Sequence, residues 1–181
     1  MYSSGNDRDP PVTVTVTVRP RADADMNDLV RIAAVVQDND GYPGRRPRRL
    51  AAFLASPDAL SAWVAECDGV IAGHVALHAE SMPVVMERAA AFLGCEVSEL
   101  AVVARLIVDP AARRVGVGRA LLATAGEEAC RRGLHPILDV VTGYHAANEL
   151  YRACGWRNAG EVTMVFRDGG SLQSYVYVAP G

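Results

Sequence analysis

A long apolar segment, "LAVVARLIVDP", runs directly into "AARRVGVGRALL", and this junction constrains the fold more than any other part of the chain. The first segment is typical of a buried strand and the second of the start of a helix. The first N–H groups of a helix have no intrahelical acceptor and carry the positive end of its dipole. We therefore expect a strand–loop–helix unit with an anion-binding site at the N-terminus of the helix.

The loop itself adds two further signs of phosphate binding. Gly116 and Gly118 have no side chains, so an anion can approach the backbone closely there. Arg113, Arg114 and Arg119 would add charge-assisted contacts to phosphate. The segment therefore predicts a pyrophosphate site, with a glycine-rich helix start and solvated arginines as the alternative.

The two commonest phosphate-binding loops fit this segment less well. A P-loop ends in Gly-Lys-Ser/Thr, whereas Gly118 is followed by Arg119 and Ala120, and the chain contains no lysine. A dinucleotide-binding fingerprint needs a third glycine, and Leu121 stands in that place. Asp139 lies about where the ribose-binding acid of that fingerprint would be, so this alternative is weak but stays open.

Length and composition indicate one globular domain. The chain has 181 residues, of which 50% are hydrophobic and 22% charged, which favours a single packed core over residues 12–181. Residues 1–11 are mostly polar and include glycine and proline, and we expect them to form a disordered leader. A net charge of −3 argues against nucleic acid or anionic membrane as a principal partner.

Location and redox state follow from what the sequence lacks. No stretch approaches the roughly 20 apolar residues of a membrane span, and the N-terminus does not have the order of a signal peptide. The four cysteines show neither CxxC pairs nor metal-ligand spacing. We therefore expect free thiols, no metal site and a cytoplasmic protein.

Periodicity and turn signals predict the order of elements along the chain. "VTVTVTV" alternates as a strand with its valines toward the core, and Asp23 and Asp25 offer an N-cap to the helix that follows. Further strands are expected at 62–80 (as a hairpin), 100–110, 136–143 and in a terminal hairpin, and further helices at 50–54, 83–94, up to about 132 and 145–154. The predicted order is βα(α)ββ(α)βαβαββ.

Two motifs within this order resemble the GNAT N-acetyltransferase superfamily. Leu-x-Val-x-Pro followed by Arg/Gln-x-x-Gly-x-Gly/Ala matches residues 106–110 and 113–118, and Leu-Tyr followed by Gly-Phe/Trp matches residues 150–151 and 155–156. The element order agrees from Val12 to the C-terminus. The resemblance implies an α/β (α+β) fold: a mixed, mostly antiparallel sheet of about seven strands with helices on both faces.

The resemblance also implies acetyl-CoA as the co-substrate. Its pyrophosphate would lie on backbone N–H groups of residues 114–119, and its pantetheine arm along the preceding strand. The family usually has Asn where this chain has Tyr144, and we assign Asn148 nearby as a pantetheine contact. The cofactor-binding residues carried over are Leu106, Ile107, Val108, Arg113, Arg114, Val115, Gly116, Val117, Gly118, Arg119 and Asn148.

The resemblance places Tyr151 at the position of the family's general acid. A phenol suits this role, because its unperturbed pKa of about 10 is close to that of the thiol that forms when the departing thiolate takes up a proton. Asp139 lies on the neighbouring strand and is the candidate base for the amine proton. The alternatives are a core tyrosine and a structural aspartate. Other candidate bases are Glu80, Glu99, His74 and His78; the two histidines lie about 13 Å apart along a strand, too far to share a metal.

Acceptor-binding residues are expected in the first interhelical loop, which carries Asp38, Asp40 and Tyr42, and at Glu80. The segment 81–98 is longer than in compact members of the family and is a candidate cap over the substrate. The implied activity is acetyl transfer from acetyl-CoA to a primary amine of a small molecule. A peptide or protein amine, and a non-catalytic acyl-CoA-binding module, stay as alternatives, and a homodimer is left open.

Overall fold

The computed structural model describes residues 14–43 and 47–181. Its strands are β1 (Val16–Pro20), β2 (Ala59–Cys67), β3 (Val70–His78), β4 (Leu100–Val108), β5 (His135–Val141), β6 (Arg157–Val165) and β7 (Ser171–Val178). Its helices are α1 (Met26–Asp40), α2 (Leu50–Ala55), α3 (Pro83–Leu93), α4 (Val117–Arg131) and α5 (His145–Ala153). The predicted leader and the first two residues of the predicted strand at 12–18 lie outside the described residues.

The seven strands form one sheet in the order β1-β2-β3-β4-β5-β7-β6. Every neighbouring pair is antiparallel except β4 and β5, which are parallel and joined through α4. A parallel pair needs a long crossover connection, and α4 provides it after the glycine loop. The predicted fold class is therefore confirmed.

Helices cover both faces of the sheet, because strand side chains alternate between the faces. Ala101 and Val103 of β4 share a buried cluster with α4 and α5, whereas Leu100 and Val102 share one with α3. A third cluster joins α1 and α2 to Ile107 at the other end of β4. The face of the sheet opposite α4 and α5 is therefore covered by α3 on one side of β4 and by α1 and α2 on the other.

The N-terminal end of α1 differs from the prediction. Asp25 stands at the N-cap position of α1, but its side chain forms no hydrogen bond to the first turn of the helix. Its carboxylate instead accepts from both terminal nitrogens of Arg19, at 2.7 and 2.8 Å, and from the backbone N–H of Ala22 at 2.7 Å. The guanidinium of Arg19 lowers the pKa of Asp25. Asp25 therefore ties β1 to α1, a contact that helix-start patterns do not predict.

Two irregularities in β4 shape the centre of the molecule. β4 pairs with β5 only from Leu100 to Val102, so the two strands separate beyond that point although both continue. On its other side β4 carries a bulge, where the partner of His74 is Ile107 and the partner of Ala76 is Ala104.

Among the described residues no helix is long and apolar enough to cross a membrane.

Candidate active site

A cavity of about 660 Å³ occupies the gap between the diverging ends of β4 and β5. Its walls come from residues 103–108 of β4, 139–141 of β5, the start of α5, the segment after α1 and the tip of the β6–β7 hairpin. The lining includes Tyr42, Arg105, Arg113, Asp139 and Tyr151. The gap therefore brings together the glycine loop and the predicted catalytic residues, which lie far apart in the sequence.

The glycine loop places a helix N-terminus beside the cavity: Arg113 lines it, and Gly118 lies next to the lining residues Leu150 and Val108, but residues 114–119 themselves are not part of the wall. Gly116 has a φ of +97° and stands directly before α4, so a residue with a side chain would be strained there. The N–H groups of Val117, Gly118 and Arg119 begin the helix and have no acceptor within it. This donor set, with arginines around it, fits a pyrophosphate.

The second glycine serves a different purpose from the one expected. A Cβ on Gly118 would lie 3.0 Å from Leu150 and 3.6 Å from Val108. Glycine therefore lets the first turn of α4 pack closely against α5 and β4. The space beside Gly116, by contrast, is open.

The arginines of the loop are exposed, and two of them already contact other parts of the chain. Arg113 forms a two-point ion pair with Asp40 at the end of α1, and Arg119 donates to the carbonyl of Ala153 at 3.4 Å. Arg114 has a φ of +68°, an unusual value for a residue with a side chain. Arg113 must leave Asp40, or share it, to contact a phosphate.

Asn148 does not take the position expected for a pantetheine contact. Its side chain is 3% exposed and does not line the cavity. Its amide nitrogen donates to the carbonyl of Tyr144 at 2.9 Å and lies 3.3 Å from that of Val141, and its oxygen accepts from the hydroxyl of Tyr177 at 3.0 Å. Asn148 therefore holds the turn between β5 and α5, and the expected contact with the cofactor is not retained.

Tyr151 lies at the junction of the core and the cavity. Its ring packs 5.7 Å from that of Tyr177 and 6.4 Å from that of Trp156, measured between centroids. Burial raises the pKa of its phenol, and the nearby Tyr42 and Asp139 act in the same direction. The hydroxyl is therefore protonated throughout the neutral range, as a proton donor must be.

Asp139 is the carboxylate of β5 that faces the cavity. Its neighbours Leu138 and Val140 belong to the buried α4–α5 cluster. Burial raises the pKa of Asp139 above its ordinary value. A carboxylate with a raised pKa accepts a proton more readily, which suits a general base.

The other candidate bases lie elsewhere. Glu80 and Glu99 are exposed and do not line the cavity, so Glu80 is also removed from the acceptor-binding set. His78 lies 3.1 Å from the hydroxyl of Ser56. His74 is fully buried, and burial lowers its pKa to about 4.

On the acceptor side, Asp40 and Tyr42 line the cavity as expected, whereas Asp38 and Glu80 do not. Tyr42 lines the cavity and packs edge-on against Phe53 and Tyr144, at 6.3 and 6.1 Å. Asp38 does not line it: α1 continues to Asp40, so Asp38 is an exposed residue of its last turn rather than part of a loop. Tyr144 donates to the carbonyl of Gly41 at 2.8 Å and so joins the β5–α5 turn to the segment after α1.

Sequence reasoning missed Arg105, which lines the cavity from the bulge of β4. Its signal was an arginine in the middle of the apolar run "LAVVARLIV", since charged residues are seldom buried without a role.

Comparison with known proteins gives one family. The pattern of the acetyltransferase (GNAT) family matches residues 26–156. No curated protein matches the sequence.

Solved structures share the fold. The yncA protein of Salmonella typhimurium, solved with acetyl-CoA, is 22% identical with a TM-score of 0.63, over 90% of this chain and 92% of that one. The ribosomal-protein-alanine N-acetyltransferase of Brucella melitensis is 23% identical with a TM-score of 0.65, over 90% and 98%. NAA60 of Arabidopsis thaliana, in complex with acetyl-CoA, is 18% identical with a TM-score of 0.65, over 91% and 97%.

The family match spans most of the chain and includes the strand, the glycine loop, the following helix and the Leu-Tyr motif. The chain therefore belongs to the acetyltransferase (GNAT) family.

Proposed function

We propose that this protein transfers the acetyl group of acetyl-CoA to the primary amine of a small molecule by direct attack. The separation of β4 from β5 beyond Val102 and Ile137 carries the proposal. It opens a cavity with a carboxylate, Asp139, in its wall, and the N-terminus of α4 lies beside this cavity, next to the lining residues Val108 and Leu150. An anionic co-substrate and an amine can thus meet in the same space.

The glycine loop would hold the pyrophosphate of acetyl-CoA. Backbone N–H groups of residues 114–119 and the guanidinium groups of Arg113, Arg114 and Arg119 supply the donors. The backbone of Leu106, Ile107 and Val108 lies along the gap and would pair with the pantetheine arm as an added strand does. Acetyl-CoA supplies the activated acetyl group.

The chain's own groups then provide the proton transfers. Asp139 would take the proton of the attacking ammonium, directly or through water, because an amine must be neutral to attack. Backbone N–H groups of β4 beside the bulge would polarise the thioester carbonyl. Tyr151 would protonate the departing thiolate.

A small acceptor is favoured by the walls of the cavity. The segment after α1 with Tyr42 covers it from one side, and Met164, Phe166 and Leu172 of the β6–β7 hairpin cover it from another. A polypeptide acceptor would have to pass its chain between these two segments.

Two measurements test the proposal together: calorimetry with acetyl-CoA, and thiol release with a panel of amino acids, polyamines, arylamines and short peptides. We expect binding, and turnover with at least one small amine. Turnover with peptides alone would move the acceptor to a polypeptide, and binding without any turnover would indicate a non-catalytic module.

A matched pair of variants tests the pyrophosphate site. Arg114→Gln should weaken acetyl-CoA binding, and added salt should reduce the difference from the native protein. Arg131→Gln removes the same charge at the other end of α4, where Arg131 pairs with Glu128, and should leave binding unchanged. Equal effects of the two variants would contradict the assignment.

A further inference from the structure

Arg105 is held in an unusual conformation at the wall of the cavity. It has a φ of +56°, in the left-handed region that residues with a side chain seldom adopt. It also stands in the bulge of β4, where one extra residue is accommodated opposite β3. Bulges beside active sites often redirect a side chain, and strain that persists in a fold points to function.

Three contacts from other parts of the chain maintain this conformation. The ring Nδ1 of the fully buried His74 donates to the carbonyl of Arg105 at 3.1 Å. The guanidinium donates through Nη1 to the carbonyl of Phe53 and lies 4.8 Å from the centroid of its ring. β3 fixes the backbone of Arg105, and α2 fixes its side chain.

The guanidinium nevertheless has no ion pair in the described part of the chain, and the carboxylate of Asp58 acts on it only at longer range. Over residues 14–43 and 47–181, no carboxylate lies within ion-pair distance of Arg105. Asp139, a carboxylate in the same cavity, likewise has no ion pair among these residues. Arg105 and Asp139 thus have no ion pair in the described part of the chain, whereas the other arginine and carboxylate of the lining, Arg113 and Asp40, are paired with each other.

This pair of charges discriminates between classes of amine. A polyamine would find Asp139 but would be repelled by Arg105. A simple amine would leave Arg105 desolvated without a counter-ion, which is unfavourable. A molecule that carries both an ammonium and a carboxylate would satisfy both groups, and Phe53, Met164, Phe166 and Leu172 offer apolar surface to the rest of it.

We propose that the acceptor is an amino acid, with Arg105 binding its carboxylate and Asp139 facing its amine. This proposal rests on the proposed acetyl transfer and specifies its substrate. Arg105 is the specificity-determining residue.

The test compares acids with their amides. Thiol release is measured with leucine, phenylalanine and 6-aminohexanoate, each beside the matching amide, and with spermidine. A charge-assisted hydrogen bond to the carboxylate predicts a kcat/KM about 10- to 100-fold higher for at least one acid than for its amide. The comparison is stringent, because the ammonium group of an amino-acid amide loses its proton more easily than that of the free acid. Without a contact to the carboxylate, the amide would therefore be the more reactive acceptor.

The variant Arg105→Gln should abolish this preference. The acid should lose about 10- to 100-fold in kcat/KM, mainly through a higher KM, and the amide should lose much less, so that the ratio of the two kcat/KM values falls toward 1. Arg105→Lys should restore part of the preference, since it keeps the charge but not the two-point geometry. A purely structural role of Arg105 would lower acid and amide alike.

The outcomes separate this inference from the proposed function. Acids and amides used equally well, or spermidine preferred to every acid, would overturn the role of Arg105 while leaving acetyl transfer in place. If no amine is acetylated, the proposed function fails, and calorimetry of the CoA-loaded protein with the same acids decides the rest. Binding that is lost in Arg105→Gln would support the carboxylate site, and no binding would refute it.

Discussion

Replacing Tyr151 by phenylalanine separates catalysis from folding at the centre of the proposed mechanism. The change removes one hydroxyl and keeps the ring, which packs against Tyr177 and Trp156. General acids contribute about 10²- to 10⁴-fold, which corresponds to roughly 3–5 kcal/mol of transition-state stabilisation. We expect kcat and kcat/KM to fall together by such a factor, with acetyl-CoA affinity largely unchanged.

The expected effect of the same change on stability is small. In the described part of the chain no hydrogen bond from the Tyr151 hydroxyl is found, so its loss should change the free energy of unfolding by less than about 1 kcal/mol. Thiol release, calorimetry with acetyl-CoA and thermal unfolding give the three measurements.

Tyr177→Phe is the matched control, because it makes the identical change in the adjacent ring. The Tyr177 hydroxyl is buried and donates to Asn148 at 3.0 Å. Its loss leaves the amide oxygen of Asn148 without that donor and should cost about 1–2 kcal/mol, or a few degrees in Tm, with little effect on kcat. Native turnover in Tyr151→Phe, or an equal loss of turnover in both variants, would refute Tyr151 as the acid.

Three further changes test the cavity. Asp40→Asn should free Arg113 and tighten CoA binding by up to about 5-fold at low salt, an advantage that calorimetry should show fading as salt is added. Gly116→Ala should cost about 1–2 kcal/mol in denaturant unfolding because of its φ of +97°, whereas Gly126→Ala within α4 should stabilise by up to about 1 kcal/mol. Burial raises the pKa of Asp139, and the base must be ionised to accept a proton. The decrease of kcat with falling pH should therefore begin at a higher pH than for an ordinary aspartate, and Asp139→Asn should lower kcat and remove this part of the pH profile.

Local patterns predicted the parts of the site whose geometry is local. The strand, the glycine loop and α4 are contiguous in sequence, so their order alone predicts a helix N-terminus beside a strand end. Tyr151 and Asp139 are placed by the family resemblance, Tyr151 through the Leu-Tyr motif and Asp139 through its position on the strand beside the cofactor strand. Both line the cavity.

The residues that sequence reasoning missed or misplaced depend on partners far along the chain. The conformation of Arg105 is held by His74 and by the carbonyl of Phe53, 31 and 52 residues away. Asn148 is turned inward by Tyr177, a contact across 29 residues. Asp38 was misplaced for a local reason, since α1 continues to Asp40 and is capped by Gly41 (φ +71°) rather than ending before residue 38.

The separation of β4 from β5 explains why an extended ligand belongs in the gap. The two strands pair over three residues, so the backbone groups of residues 103–108 that face β5 lie beyond the end of their ladder. Backbone groups away from water need partners, and an extended amide-bearing arm supplies them. We therefore expect CoA to slow amide hydrogen exchange in residues 103–108 more than global stabilisation would.

ADP and the strand β2 provide the two controls for this last prediction. ADP carries the pyrophosphate without the pantetheine arm, so it should protect the amides of residues 114–119 but not those of residues 103–108. β2 is paired on both sides, with β1 and β3. Its amides therefore report only the stabilisation of the whole fold by bound ligand, about 2.7 kcal/mol at a ligand concentration of 100 Kd. If CoA protects β2 as much as β4, or if ADP protects β4 as much as CoA does, the pantetheine arm does not complete the ladder of β4.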